Sequence, residues 1–395
     1  MSHPNQNILP VENAFIALPD RANDRIFGRS VLERLMINCQ RVGIKRFFVR
    51  TGNSSHEAVA HAAKRLESNP DVTIVDCFED VREKHGLDGV APVAAFSGNL
   101  VFPKSHLARL VGEFETNPGK VVRLVSTDSD RGGEIAIGRL GNLNLERNDS
   151  AEIVKATSDL MPFALNGRPE DRQEAELRLA RTLREETVAK DAPLARAIDR
   201  KISWRLSYRL ANTAITPNQV TIANTFVGLT CAWLFSMPSY WIRLAAALIF
   251  LISITIDGVD GELARLKMCE SDFGGKLDMI TDNIVHVALF IGLFTGCYRA
   301  SQSSAYLMLI PIVLIGFASC AASTFYAFRM RGAVASSWLD KVDRWSGRDF
   351  GYLLVVLAVI NRLEWFAWGT AVGTYVFAIV LAWLATARRA DAKTT

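Results

Sequence analysis

Two long apolar runs meet at an acidic join, IDGVDGELARLKMCESDFGGKLDMITDN (residues 256–283), which sets four of its five aspartates, Asp257, Asp260, Asp278 and Asp282, beside hydrocarbon. Asp257, Asp260, Gly261, Ala264 and Arg265 recur at three- and four-residue steps, so a helix carries them on one face. Asp278 and Asp282 are four apart and Gly274 lies four before Asp278, so a second helix presents a matching face. Two such faces set together gather four carboxylates in one place. Acidic groups inside membrane segments are costly and as a rule functional. Four of them cannot stay ionised together without cations, and hard oxygen ligands suit Mg²⁺, Mn²⁺ or Ca²⁺. The bland alternative is a salt-bridged helical hairpin in which Arg265, Lys267 and Lys276 pair the acids. That alternative leaves the glycines and the apolar flanks unexplained.

The spacing reads D-x-x-D-G-x-x-A-R, then eight residues, then G-x-x-x-D-x-x-x-D. It resembles the signature of the CDP-alcohol phosphotransferases, with every signature position filled. The resemblance covers about residues 195–385. It includes Thr216-Pro217-Asn218 with Thr221, the basic pair Arg329 and Arg331, and DRWSGRDFGYLL further on. It implies an integral membrane enzyme that moves a substituted phosphate from a CDP-alcohol, of CDP-diacylglycerol or CDP-inositol type, to an acceptor hydroxyl with release of CMP. The product belongs to phospholipid or phosphodiester biosynthesis, and at least one of the two alcohols can be a lipid. The same resemblance implies Asp257, Asp260, Asp278 and Asp282 as metal ligands for two Mg²⁺ or Mn²⁺, with Asp282 also the general base. Asn218, Thr221, Gly261, Arg265, Ser271 and Gly274 match donor-contacting positions. Arg329, Arg331 and Arg348 are candidates for an acceptor phosphate, and anchoring at the membrane edge is an equal alternative for them. His286, one turn after Asp282, reads as a packed interface histidine.

Composition averages two unlike halves: 49% hydrophobic residues overall, a mean hydropathy of +0.14, a charged stretch to about residue 212 and apolar runs from Val220 onward. A net charge of +4 gives no argument for nucleic acid. Six cysteines without a C-x-x-C pair read as free thiols of a cytosol-facing protein, and the N-terminus shows no cleaved signal. Six spans of roughly twenty residues are expected, near 218–237, 241–264, 276–298, 304–328, 342–361 and 365–387. Basic residues crowd on one side of them, which puts both termini and the aspartates at the cytoplasmic face of a multi-pass inner-membrane protein. Residues 191–213 form a basic amphipathic helix, with Leu194, Ile198, Ile202, Leu206 and Leu210 every four residues, suited to a membrane surface. A homodimer is expected.

Residues 1–190 alternate short apolar strands (Ala14–Leu18, Arg46–Val49, Val72–Asp76, Val90–Phe96, Val121–Ser126) with helical patterns, notably Ser30 to Gly43 with a Ser30/Glu33 capping box. This implies a Rossmann-like α/β domain with a mostly parallel sheet, ahead of an all-α membrane domain over 214–390. Glu170 to Lys190 reads as an exposed charged helix. The order FIALPDR…GRSVLERLMINCQRVGIKRFFVRTG resembles the start of the sugar-nucleotide and inositol-phosphate nucleotidyltransferases, whose first loop wraps nucleotide phosphates. Here Pro19 and Asp20 replace small residues of that loop, and Phe96-Ser97-Gly98-Asn99 lacks the acid that would bind metal. Asp128 and Asp130 read as a solvated turn. The expectation is a scaffold without catalysis; the alternatives are a bifunctional enzyme that also makes its CDP-alcohol from CTP, and a transporter with carboxylates in its path.

Overall fold

The computed structural model describes residues 10–18, 24–51, 56–67, 70–97, 99–125, 133–143, 152–153, 162–165, 168–188, 199–329 and 350–394. The chain divides into two compact units, Met1–Glu186 with Leu266–Met268, and Thr187–Arg265 with Cys269–Thr395.

The first unit is an α/β fold. Its strands are β1 (Asn13–Ala17), the hairpin β2 (Arg25–Ile26) and β3 (Arg29–Ser30), β4 (Arg46–Arg50), β5 (Asp71–Val75), β6 (Pro92–Ser97), β7 (Leu100–Val101), β8 (Val122–Val125), β9 (Glu134–Arg139), β10 (Glu152–Ile153) and β11 (Phe163–Ala164). Seven of them form one sheet in the order β10-β8-β9-β6-β1-β4-β5. Pairing is parallel for β1 with β4 and β6, and antiparallel on both sides of β9. Neighbouring residues of a strand point to opposite faces. Phe47 accordingly joins the core cluster holding Leu35 and Phe96, and Phe48 joins the one holding Phe15 and Val93. Helix α1 (Val31–Arg41) starts on the expected capping box, with the Ser30 hydroxyl accepting from the Glu33 N–H and the Glu33 carboxylate accepting from the Ser30 N–H. Gly43 ends that turn at φ +101°, a conformation that only glycine adopts without strain.

Helices α2 (His56–Ala63), α3 (Asp80–Glu83) and α4 (Lys104–Thr116) follow, and α5 (Pro169–Val188) closes the unit. The expectation of an exposed helix at 170–190 is corrected. Ala175, Leu179, Ala180 and Thr182 of α5 are buried, and Glu176 accepts from the Phe27 N–H at 3.4 Å. The dense charge pattern hid a narrow stripe of small and apolar residues at helical spacing. The loop with Pro19 and Asp20, and the turn with Asp128 and Asp130, lie outside the described residues.

The second unit is helical: α6 (Arg200–Ala211), α7 (Pro217–Phe235), α8 (Tyr240–Lys267), α9 (Asp272–Ser301), α10 (Ala305–Arg329), α11 (Phe350–Val359) and α12 (Leu363–Thr394). Among the described residues, α8, α9, α10 and α12 are long and apolar enough to cross a membrane. The six expected spans therefore reduce to four by that measure. Helix α7 falls short because Asn218, Gln219, Thr221, Asn224 and Thr225 dilute its first two turns. Helix α11 covers ten residues, and the stretch expected to precede it lies outside the described residues.

Thr216 and Gln219 cap α7 reciprocally, with Pro217 in its first turn. Gly292 and Gly296 of α9 lie against the carbonyl oxygens of Ala232 and Phe235 of α7, where any Cβ would overlap them. On α6 the buried side is Ser203, Trp204, Ser207 and Ala211, whereas Ile202 and Leu206 of the expected apolar stripe face outward. Leu194 and Ile198 lie outside the described residues.

Candidate functional site

Helices α8 and α9 are joined by a turn at 268–271, and the Ser271 hydroxyl starts α9 by accepting from the Gly274 N–H at 3.0 Å. This hairpin sets the two acidic faces against each other. Asp257, Asp278 and Asp282 each bring one carboxylate oxygen within 4.8 Å of the others, and all three are half-buried. Three carboxylates at that separation are the donor set of a hard divalent cation, so the residues present fit such an ion.

Asp260 is on the same helix face but faces different partners. Its Oδ2 accepts from the Thr221 hydroxyl and its Oδ1 from the Gly261 N–H at 2.6 Å, and the residue is buried. Of the four aspartates, the structure thus gathers three into one cluster and holds the fourth against α7.

Asn218, Thr221, Gly261, Arg265, Ser271 and Gly274, which the signature pairs with a nucleotide donor, line one cleft together with Asp260, Ala264 and Asp278. A side chain on Gly274 would meet the Asn218 and Ser271 oxygens, each at 3.2 Å, so glycine keeps this wall open. Arg329 ends α10 with its side chain outside the described residues, as are Arg331 and Arg348.

A second cavity lies beyond the carboxylates, away from the 268–271 turn. Asp257 and Asp282 form its rim with Thr221 and Thr281, and Asn224, Thr225, Phe250, Ser253, Ile254, Val285, His286 and Phe350 form its walls. His286 has Nδ1 2.7 Å from the Asp282 carbonyl oxygen, and its ring packs against Phe350 at 5.6 Å. The packed-interface reading of His286 is therefore incomplete, since the same ring reaches a wall beside Asp282.

Two further carboxylates support this region without having been singled out in the sequence. Glu262, fully buried between Gly261 and Leu263, accepts from Arg200 Nη1 at 2.7 Å, Ser203 Oγ at 2.7 Å and Ser207 Oγ at 2.6 Å. A Cβ at Gly258 would come within 3.0 Å of Arg200 Nη1, so glycine leaves the guanidinium its place. Asp199 is also buried and accepts from the Tyr352 hydroxyl at 2.7 Å and the Thr255 hydroxyl at 3.2 Å. The available signal was Ser203 and Ser207, two small hydroxyls four apart on a helix otherwise basic or apolar.

Residues 214–385 match the CDP-alcohol phosphatidyltransferase family. A bifunctional IPC transferase and DIPP synthase from Archaeoglobus fulgidus is 27% identical over 188 residues, which is 45% of this chain and 35% of that protein. Its namesake from Thermococcus kodakarensis is 32% identical over 167 residues, 42% of this chain and 35% of the relative. An archaetidylinositol phosphate synthase from Pyrococcus horikoshii is 29% identical over 118 residues, 30% of this chain and 61% of that one. The matched stretch thus spans 35% of the length of each of the first two relatives.

Proposed function

We propose, from the premise that residues 214–385 are a CDP-alcohol phosphatidyltransferase domain, that this chain transfers a substituted phosphate from a CDP-alcohol to an acceptor hydroxyl. The observation that carries the reading is the cluster of Asp257, Asp278 and Asp282 at the edge of a cleft walled by Asn218, Thr221, Gly261, Arg265, Ser271 and Gly274. In the reaction the acceptor oxygen forms a bond to the phosphorus that bears the donor alcohol. The bond from that phosphorus to the bridging oxygen breaks, its electron pair leaves on CMP, and the acceptor proton passes to the Asp282 carboxylate. Asp257, Asp278 and Asp282, with Asp260 alongside, would hold two divalent cations, Mg²⁺ or Mn²⁺, which when bound neutralise the diphosphate and the departing CMP. Arg265 adds a guanidinium fork suited to phosphate. Gly261 and Gly274 let the nucleotide approach the helix backbone. Asp260, fixed by Thr221, keeps α7 in register with α8.

The chain is read as a multi-pass protein of the cytoplasmic membrane, with both termini and the aspartates on the cytoplasmic side and with a homodimer as its assembly. Residues 191–213 lie at the membrane surface, and the outward Ile202 and Leu206 support that placement. Residues 1–190 act as a scaffold without CTP chemistry. The names of two relatives support a second reading, in which this part also makes the CDP-alcohol; pyrophosphate release from CTP with any alcohol phosphate would establish it.

The test is the purified full chain with a panel of CDP-alcohols and acceptor alcohols, followed by CMP release. Release is expected with Mg²⁺ or Mn²⁺ and none with chelator. Full turnover in chelator would refute the cation-dependent reading, and no release with any pair would refute transfer.

A further inference from the structure

The end of the helical unit remote from the aspartates is knitted from three turns. Arg299 Nη1 donates to the Ser236 carbonyl at 3.0 Å, the Tyr240 hydroxyl to the Val359 carbonyl at 3.1 Å, and Arg243 Nη2 to Asn361 Oδ1 at 3.3 Å. These bonds join the turn before α8, the end of α9 and the turn between α11 and α12. Arg243 and Asp257 are fourteen residues apart on α8, about 21 Å of helix axis, so this end is separate from the cleft.

Arg243 is only 8% exposed, and its Nε is enclosed without a hydrogen-bond partner. A guanidinium carries five N–H donors, and here the neutral amide oxygen of Asn361 meets one of them. Glu364, the acid of these turns, pairs instead with Arg362 at 3.3 Å. Arg243 also stands in the first turn of α8, the end where a helix dipole repels a cation. A charge withdrawn from water without a counter-ion is costly, so this position calls for an anion.

The surroundings say which anion. Helix α8 is long and apolar enough to cross a membrane, and Trp241, 74% exposed, stands outward at its start, as do Trp365 and Trp368 beside the neighbouring turn. Tryptophan collects at the depth of lipid headgroups. The three turns carry Arg243, Arg299 and Arg362 against the single acid Glu364, an excess of positive charge at that depth. The anion that a membrane supplies there is a phosphodiester, whose oxygens suit a guanidinium fork.

We propose that Arg243 binds the phosphate of a phospholipid headgroup in the leaflet remote from the aspartates, with Arg299 of the same three turns adding positive charge. This lipid site is apart from the transfer site and is independent of the alcohols that reaction takes. The bound phosphate completes the pairing of Arg243 and pins the start of α8 to the turn at Asn361.

The test is calorimetry of the purified full chain in uncharged detergent, titrated with dioctanoyl-phosphatidylglycerol, dioctanoylglycerol and inorganic phosphate. Wild type is expected to bind the phosphatidylglycerol, and the other two about tenfold more weakly or worse. Arg243→Met should raise the phosphatidylglycerol Kd about tenfold or more. Arg362→Gln, whose guanidinium already has Glu364, and Arg265→Gln, in the cleft at the far end, should each leave it within about twofold. If Arg243→Met does not fold, Arg243→Lys keeps the charge and loses the fork, and a rise of about threefold reports the same site. No binding by wild type, an unchanged Kd in the folded Arg243 variants, or a rise with Arg265→Gln instead overturns the proposal. Inorganic phosphate bound as tightly as the lipid assigns the position to a free anion and overturns it too. CMP release is not read, so each of these failures leaves the transfer reading standing.

Discussion

Replacing Glu262 by alanine tests how α6 is held to the acidic segment of α8. The carboxylate is fully buried and serves Arg200, Ser203 and Ser207 at 2.6–2.7 Å. Removing one partner of a buried ion pair costs about 3–5 kcal/mol. The Arg200 side chain keeps 16% exposure and can turn toward water, so the lower end, ~3 kcal/mol, applies. Ser207 has a second acceptor in the Val259 carbonyl at 3.5 Å, whereas Ser203, 1% exposed, is left with its hydroxyl unsatisfied at a further ~1 kcal/mol. The expected loss is about 4 kcal/mol, or about 8–16 °C in Tm for a unit of this size. The assay is thermal unfolding of the full chain in detergent, with Arg200→Met/Glu262→Leu as the paired variant. Because both partners become apolar, the pair should return to within ~1 kcal/mol of wild type. A shift below 2 °C in Glu262→Ala, or a double variant no more stable than the single, would refute the reasoning.

Asp282→Asn keeps the side chain's size but cannot take the acceptor proton; CMP release should fall about 10²- to 10⁴-fold while CDP-donor binding stays measurable by calorimetry. A near-normal rate would remove Asp282 from its role. Gly292→Ala places a Cβ on the Ala232 carbonyl oxygen and should cost about 1–3 kcal/mol in detergent melts. Gly369→Ala, with nothing within 4 Å, should be neutral or slightly stabilising. In the first unit, the Lys84 ammonium at 3.0 Å and the N–H groups of Asp76 and Cys77 hold the Asp80 carboxyl below its ordinary value of 3.8. Its stabilisation is therefore complete above that value and lost as pH falls through the lowered one. Asp80→Asn should flatten the acid limb of stability against pH, and an unchanged limb would contradict this.

The parts of the molecule legible in the sequence were those governed by short-range periodicity. The strands around Phe15, Phe48 and Phe96 lie within a residue or two of their expected places, and so does the helix capped by Ser30. The paired acidic faces followed from three- and four-residue steps alone. Direction along a face was a different matter. Asp257 and Asp260 share one, yet the Asp260 carboxylate turns to Thr221, thirty-nine residues upstream. Glu262 has partners fifty-five to sixty-two residues away, and no local pattern announces them. The apolar repeat of α6 drew notice to the side that faces outward, while its two serines hold the buried carboxylate. Strand β9 was missed because it follows the polar sequence STDSDRGG and runs antiparallel within an otherwise parallel expectation. The polar first turns of α7, which weakened it as a span, are the turns that line the site.

The glycine contacts between α7 and α9 also bear on how the site can move. With Gly292 and Gly296 pressed against the Ala232 and Phe235 carbonyls, the two helices have no side-chain layer between them at that level. Sliding or tilting would drive backbone into backbone, so α7 and α9 behave as one lever. Asn218 and Thr221 sit on one arm and Asp278 and Asp282 on the other, so the close approach at Gly292 and Gly296 ties together the two helices that carry them.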